Sequence, residues 1–296
     1  MQQVSSSLIA LGQGVPFFHA GQDILRSKGM DRDSFNAGDW FNAIDWHLDS
    51  SGWGRGLPSE EKNKDAWPLM RPLLADPSLA PGKAERERSL STFETFLRIR
   101  QSSPLFRLHS DAQVREHLHF LNTGPAQVPG LIVMSLDDAA GAIDRRHRRI
   151  VTLFNGGLDA VEFPLADAGN ASFTLHPLQI ANDDPLLAQA RYNRVNRSFA
   201  TPGLTTAVFV EQRPTRERIA LLQNDINALR ESGAIGVGLQ KRLHSVLRRV
   251  DAQIAAGQDS QASNSLRRFI IQAGTLAATR AIRAEAADVY ETLRVL

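Results

Sequence analysis

GQGVPFFHAGQDILRSKGMDRDSFNAGDWFN, residues 12–42, is the stretch that bears most directly on the fold. Its apolar run Val15–Ala20, which ends at a glycine, predicts a short buried strand. Carboxylates, arginines and a tryptophan follow, with little periodicity, so residues 22–81 are predicted to form a long loop. Such a loop after a strand's carboxyl end carries ligand contacts in barrel and doubly wound enzymes. The same charges could instead form ion pairs that only order the loop, and these charges include Arg26, Arg32, Asp33 and Asp39.

The sequence around this stretch predicts helices first and strands afterwards. Val4–Leu11 is predicted to be helical up to Gly12, and Ser89–Gln101 has the spacing of an amphipathic helix that ends before Pro104. Short runs of strand-like composition come next, separated by clusters of turn-forming residues. This pattern predicts an antiparallel β-sandwich, with strands in residues 113–121, 130–136, 150–154, 160–165, 172–178 and 205–210.

A different pattern begins at Arg213-Pro214. Four apolar stripes with helical spacing predict a small helical bundle in residues 213–296. These residues hold 13 basic and 8 acidic side chains, whereas residues 1–212 hold 21 and 24. The net charge of +2 therefore combines an acidic part with a basic part.

Composition excludes several classes of function. The 296 residues contain no cysteine, which removes disulfides, thiolate nucleophiles and the usual structural zinc sites. No run of about 18 apolar residues exists, so no transmembrane segment is predicted. The N-terminal residues lack the pattern of a secretory signal. The tryptophans cluster early in the chain, where their flat faces could bind a ring-shaped ligand: Trp40, Trp46, Trp53 and Trp67.

Several consecutive motifs resemble one known family. They are residues 12–21, Leu25-Arg-Ser-Lys28, Asp31-Arg-Asp-Ser34, Gly38-Asp-Trp-Phe-Asn42 and Ser102-Ser-Pro-Leu-Phe106. In order and spacing they resemble the C-terminal part of the pullulanase-type α-1,6-glucosidases, which are starch-debranching members of the α-amylase superfamily. The resemblance covers residues 1–212.

The resemblance implies a multi-domain α and β protein in three parts. Residues 1–110 would be the terminal fragment of a (β/α)8 barrel with its substrate-side loop, residues 111–212 an antiparallel β-sandwich, and residues 213–296 a small α-helical bundle. The implied substrate is an α-glucan such as pullulan or a branched dextrin. Asp33 matches a glucan-contacting position, and its neighbours Arg32, Asp39 and Trp40 are further candidates. No cofactor is evident, although the family resemblance is compatible with calcium.

The motifs of catalysis are missing from this sequence. Retaining glycoside hydrolysis needs two carboxyl groups about 5–5.5 Å apart, and in this family they come from earlier barrel strands. A whole barrel takes about 250 residues, more than precede the predicted sandwich. We therefore expect a chain that is the C-terminal portion of a debranching enzyme, has no catalytic residue and is inactive alone. A new catalytic pair among Asp23, Asp31, Asp33 and Asp39 is the disfavoured alternative.

The remaining features have plainer interpretations. Arg145–Arg149 is a basic run that we interpret as a solvated loop rather than a nucleic-acid site, and no nucleic-acid partner is predicted. His117 and His119 have the spacing of one strand face but lack a third ligand, so no metal site is predicted. The helical tail is similar to FIMAH modules, which implies contact with polysaccharide or a cell surface and an extracellular or cell-envelope location. The alternative for the tail is a bundle that packs against the sandwich or mediates association. The alternative function is accordingly a non-catalytic carbohydrate-binding or surface-binding fragment.

Overall fold

The computed structural model describes residues 1–182 and 184–295. The chain forms two compact units. The first contains residues 1–136 and 150–210, and the second contains residues 137–149 and 211–296. The second unit is therefore built from two separate stretches of chain.

Two helices form the first part of the first unit. Helix α1 (Gln2–Leu11) packs against a later helix of 20 residues, Lys83–Ser102. The buried Arg100 of the long helix donates hydrogen bonds to the carbonyl oxygens of Ala10 (3.1 Å) and Gly14 (2.6 Å). The guanidinium group therefore binds a carbonyl group that α1 leaves free at its end, together with one from the segment that follows. Both predicted helices are confirmed.

The predicted strand Val15–Ala20 is wrong. These residues are irregular and end in a turn, and Val15 and Phe17 are each 83% exposed. A strand needs a neighbouring strand for its hydrogen bonds, and none of the described residues pairs with this segment. Residues 1–110 contain helices, turns and irregular segments without a strand within the described part of the chain. The strand of the expected barrel fragment is thus not formed here.

The segment 22–81 is also more helical than predicted. Turns fill its first part, and short helices follow. These helices are α2 (Asp39–Asn42), α3 (Glu60–Asn63), a 3₁₀ turn (Lys64–Ala66), α4 (Trp67–Ala75) and a second 3₁₀ turn (Pro77–Leu79), after which α5 is the helix Lys83–Ser102. Helices of four to nine residues show too few turns for a clear periodic signal, which is why sequence reasoning missed them.

Two antiparallel sheets follow, as predicted. One has the strand order β1-β2-β3-β8-β5 and the other β4-β7-β6. The pairs β1–β2, β5–β8, β4–β7 and β6–β7 are antiparallel. Leu153 and Phe209 of the first sheet share one buried cluster with Phe199 of the second. The strands are β1 (Leu118–Phe120), β2 (Leu131–Asp137), β3 (His147–Asn155), β4 (Val161–Pro164), β5 (Thr174–Leu175), β6 (Arg191–Asn193), β7 (Ser198–Thr201) and β8 (Thr205–Gln212).

Capped helices replace parts of two predicted strands. Residues 111–117 form helix α6 (Asp111–His117), because the Ser110 hydroxyl oxygen accepts from the amide of Gln113 at 3.2 Å. His117 ends that helix, so His117 and His119 do not share a strand face as expected. In the predicted strand 172–178, only β5 is a strand. The imidazole of His176 accepts from the amide of Leu178 and caps α7 (Pro177–Ala181).

The second unit contains the predicted helical bundle. Its helices are α8 (Thr215–Glu231), α9 (Val237–Ala255), α10 (Asp259–Ala273) and α11 (Arg280–Val295). Helix α9 packs against α8 and α10, and α11 packs against α10 and α8. The core is aliphatic except for Phe269, and its fully buried side chains include Leu222, Leu243, Leu266 and Val289. The 3.6-residue period alone identified this core.

The basic run 145–149 lies in the second unit and is not a solvated loop. Residues 147–149 belong to β3. Arg145 pairs with Asp225 of α8 at 2.9 Å, and Arg148 pairs with Glu217 of α8 at 2.5 Å. Arg146 binds Asp288 of α11, with Nε 2.7 Å from Oδ2. The acidic partners lie about 70 to 140 residues away, so the sequence alone did not show that the charges of this run are compensated.

Candidate functional site

The loop that carries the predicted substrate residues is held by hydrogen bonds to its own backbone. Arg26 Nη2 donates to the Asn42 carbonyl oxygen at 2.6 Å. The Asn42 side chain in turn bonds Ser34 twice, donating to its carbonyl at 2.6 Å and accepting from its hydroxyl at 2.8 Å. Burial, and then the nearby charge of Arg55, lowers the pKa of Arg26. The residues between positions 26 and 42 are thus fixed by polar groups inside the motif itself.

A second guanidinium group fixes the turn that presents Trp40. Arg55 Nη1 donates to the carbonyl oxygens of Trp40 (2.8 Å), Phe41 (3.3 Å) and Ala43 (3.1 Å). The Trp40 ring lies against Gly56, where an added Cβ would come within 3.1 Å of it. Trp40 nevertheless remains 58% exposed. Its indole face is therefore held in place yet open to solvent, which suits stacking on a sugar ring.

An open cavity of about 440 Å³ lies beside this loop, and Asp31 is the most buried charged residue that lines it. The carboxylate Oδ1 of Asp31 accepts from the amide of Asp33 (3.0 Å) and from Asn63 Nδ2 (3.2 Å). Its other oxygen, Oδ2, is buried and has no hydrogen-bond partner among the residues that the structure describes. Asp31 is only 8% exposed. The cavity is lined by Asp31, Arg32, Asp33, Lys62 and Asn63.

Lys62 partly neutralises the acidic side of this cavity. Its ammonium group forms an ion pair with Asp33 Oδ2 and lies 4.8 Å from the centre of the Phe35 ring. The hydrogen bond that Lys62 donates to Asp33 raises the pKa of Lys62 above its ordinary value, so this lysine is charged at neutral pH. Both side chains are well exposed, and solvent screens the pair. A ligand hydroxyl could therefore compete for the Asp33 carboxylate.

The predicted site residues divide into two sets. Arg32 and Asp33 line the cavity, whereas Asp39 and Trp40 lie outside its lining on the adjoining helix α2. All four are exposed. The sequence named Asp31 only in the disfavoured catalytic pair and not among the substrate-binding residues, although it lies in the same motif. Sequence reasoning also missed Lys62 and Asn63, which are about 30 residues away and carry no signal beyond a polar helix.

Two tryptophans of the cluster are hydrogen-bonded within the loop, and two are exposed to solvent. Trp53 and Trp67 donate their indole N–H groups to the backbone, to Asp76 O at 3.2 Å and to Pro58 O at 3.0 Å respectively. Both rings are half-buried, so they order the loop. Trp46, like Trp40, is exposed, at 65%. The aromatic surface that is open to a ligand is thus smaller than the composition suggests.

The described residues contain neither a cluster of three metal-ligating side chains nor a helix that could span a membrane. Within residues 1–182 and 184–295, no three His, Asp or Glu side chains are arranged to hold a metal ion. No helix in the described part of the chain is long and apolar enough to cross a membrane.

Comparison with known proteins identifies a family over more than half of the chain. The family described as "Alpha-1,6-glucosidases, pullulanase-type, C-terminal" matches residues 48–212. Pullulanase 1, chloroplastic, from Arabidopsis thaliana is 43% identical over 219 residues, which cover 72% of this chain and 23% of that protein. A pullulanase from Klebsiella aerogenes is 36% identical over 154 residues, 50% of this chain and 14% of that protein.

A solved structure agrees with these matches. The Klebsiella pneumoniae pullulanase complexed with maltotriose superposes with a TM-score of 0.65 at 30% identity, covering 72% of this chain and 20% of that one. The chain therefore spans less than a quarter of the length of each of these relatives. Of the residues that line the cavity, Lys62 and Asn63 lie within the matched residues 48–212.

Proposed function

The chain belongs to the pullulanase-type α-1,6-glucosidases, and from that membership we propose that it supplies glucan-binding residues to a starch-debranching glycoside hydrolase. The proposed reaction is hydrolysis of α-1,6-glucosidic linkages in pullulan and branched dextrins. The maltotriose bound to the Klebsiella pneumoniae relative supports a glucan as the ligand. Relatives from a plant and from bacteria support the debranching activity of the family.

The buried carboxylate of Asp31 is the observation that carries this proposal. An unpaired buried acceptor is costly, about 1–3 kcal/mol and more for a charged group. A small shift of the surrounding side chains would bring Oδ2 to the cavity surface, where a sugar hydroxyl that donates to it would remove this cost. The neighbouring groups would complete the recognition. Arg32 and Lys62 are donors, and Asp33 is an acceptor. The cavity volume of about 440 Å³ is within the range of about 300–1,000 Å³ for small-ligand sites.

Trp40 would provide the apolar half of this recognition. A pyranose ring has an apolar face formed by C–H groups, and the exposed indole offers a flat surface for it. The hydrogen bonds from Arg55 restrict the backbone of Trp40, so little conformational freedom would be lost on binding. Asp39, at the start of α2, would serve as a second acceptor beside the ring.

Catalysis would depend on residues outside this chain. We propose a retaining mechanism in which the nucleophile and the general acid come from the remainder of a (β/α)8 barrel that residues 1–110 complete. The exposure of Val15 and Phe17 supports this arrangement, because an apolar segment without a paired strand gains from a neighbouring strand. The chain alone should then bind glucan without hydrolysing it.

The proposal can be tested by binding and activity together. We expect the purified chain to bind maltotriose in isothermal titration calorimetry, and Asp33→Ala or Trp40→Ala to weaken binding about tenfold. Asp49→Ala is the matched control, since Asp49 is an exposed aspartate that pairs with Lys83 outside the cavity. Release of reducing sugar from pullulan should be absent. Hydrolysis by this chain, or affinity that is unchanged in both variants, would refute the proposal.

A second candidate, surface binding by the helical bundle, rests on its unpaired cations. Within the described residues, six exposed basic side chains of α9 and α10 form no ion pair: Lys241, Arg242, Arg248, Arg249, Arg267 and Arg268. Such an excess suits an anionic polysaccharide or cell surface. Retention of the chain on cell envelopes should fall when Arg248, Arg249, Arg267 and Arg268 are changed to glutamine. Equal retention of the variant would reject this function.

A further inference from the structure

A polar groove in the helical bundle is unrelated to the cavity near Asp31. It lies where the start of α10 meets the end of α11 and has a volume of about 500 Å³. Its walls combine a carboxylate, two hydroxyls, an amide, a guanidinium group and a phenol ring. The lining residues are Gly257, Asp259, Ser260, Ser263, Asn264, Tyr290, Leu293 and Arg294.

Ser263 is the most informative residue of this groove. It is 6% exposed, and its hydroxyl makes no hydrogen bond to any residue that the structure describes. Buried serine hydroxyls in helices commonly bond a carbonyl one turn earlier, as the Thr95 hydroxyl does with Ser91 O at 2.9 Å. Ser263 instead lines the groove, where its hydroxyl has no protein partner in the described part of the chain and is open to solvent or a ligand. It therefore favours a ligand that can both donate and accept hydrogen bonds.

The start of α10 adds further unused donors. The amides of Gln261 and Ala262 donate to the carbonyl of Gln258. Those of Asp259 and Ser260 have no acceptor in the described part of the chain, as is usual for the first residues of a helix. Helix α10 is 15 residues long. Its first turn and the Ser263 hydroxyl thus open on the same groove.

The charges of the groove favour a neutral ligand. Asp259 and Arg294 have opposite signs, and Arg294 also lies 3.4 Å from Glu291. The Arg294 guanidinium carbon is 5.7 Å from the centre of the Tyr290 ring. Hydroxyl and amide groups beside an aromatic ring are the means by which proteins bind pyranose sugars. Asp259 would repel an anion. A metal ion would have only this one carboxylate of the lining as a ligand.

We propose that this groove is a second carbohydrate site, which binds a neutral glucose-containing oligosaccharide through Ser263, Asn264 and Tyr290. The proposal is independent of catalysis. It relies on the family only for the choice of sugar. Sugar binding at the groove can therefore be refuted without refuting glucan binding at the cavity near Asp31.

The test uses the full chain labelled with ¹⁵N and carrying Asp33→Ala and Trp40→Ala, which weaken the first site. Maltotriose is added to millimolar concentrations while amide shifts are recorded. We expect shifts in residues 257–264 and 290–294. Ser263→Ala, which suits a helix, should weaken this binding about fivefold, as expected for the loss of one hydrogen bond. Ser245→Ala is the matched control, because Ser245 is an exposed serine of α9.

The outcomes separate the two sites. Shifts at the groove that Ser263→Ala weakens and Ser245→Ala leaves unchanged support the proposal. Absence of shifts at the groove, or equal affinity in the Ser263 and Ser245 variants, overturns it. Shifts near residues 31–63 in the unmodified chain, without any at the groove, would support the first site alone.

Discussion

The ion-pair network around Arg218 gives the sharpest test of the packing in the second unit. Arg218, on α8, is 4% exposed, and its Nε lies 2.8 Å from Glu285 Oε1. Its Nη2 lies 2.5 Å from Asp288 Oδ2. Arg146, from the stretch 137–149, binds the same Asp288. Two arginines and two carboxylates therefore connect α8, α11 and the stretch 137–149.

Neutralising both carboxylates without changing their size isolates the electrostatic part of this network. In the double variant Glu285→Gln/Asp288→Asn, Arg218 stays buried without a counter-charge. Breaking a buried pair in this way costs about 3–5 kcal/mol. Asp288→Asn alone leaves Glu285 in place, and we expect a loss of about 1.5–3 kcal/mol, as for one charge-assisted hydrogen bond.

A matched control lies in the same bundle. Arg216 pairs with Asp251 at 2.7 Å, and their side chains are 59% and 36% exposed. Water competes for these groups, so Asp251→Asn should cost only about 0–1 kcal/mol. Asp288→Asn and Asp251→Asn both remove a carboxylate that pairs with an arginine. The two sites differ mainly in how buried the ion pair is.

Urea unfolding is the assay, with hydrogen exchange used to follow residues 213–296 separately. This separation is needed because two compact units need not unfold together. Far-UV circular dichroism checks that each variant is folded without urea. If the double variant loses no more stability than Asp251→Asn, Arg218 does not depend on its carboxylates and the reasoning fails.

Three further predictions concern single side chains. Burial raises the pKa of Glu211, so ionisation of this carboxyl group destabilises the folded chain as the pH rises through the raised value. In urea titrations, Glu211→Gln should therefore be more stable than the unmodified chain at pH 7 and equally stable at pH 4. Burial, then Arg248, lowers the pKa of His244, so an NMR titration should show a midpoint below 6.5 that rises in Arg248→Gln; an unchanged midpoint contradicts this. Gly203→Ala would place a Cβ 2.0 Å from a carbonyl oxygen and should cost about 3 kcal/mol by thermal unfolding, whereas Gly156→Ala, with 3.4 Å to its nearest atom, should be tolerated.

The sequence identified features whose signals repeat along the chain. The stripes led by Ile219 and Leu243 repeat every three or four residues and so predicted the bundle. The turn clusters around Asn155 separated strands, and the antiparallel sheets followed. The motif around Asp33 identified the family, because several identities in a fixed order are specific even without a structure.

Local signals failed where a neighbour decides the conformation. Val15–Ala20 has the composition of a strand, yet extended backbone becomes a strand only beside a partner. The basic run at Arg146 reads as a solvated loop, and only folding brings Asp288 to it. Short helices such as α4 depend on contacts and caps rather than on periodicity.

The sequence by itself determined the family, the helical bundle and the segment that holds Arg32, Asp33 and Trp40, because these follow from order, period and composition along the chain. Tertiary structure alone decided that Arg32 and Asp33 share a cavity with the buried Asp31 and with Lys62. It also decided that Ser263 faces a groove made by two helices. Burial and charge pairing depend on residues that are distant in sequence, and no local pattern encodes them.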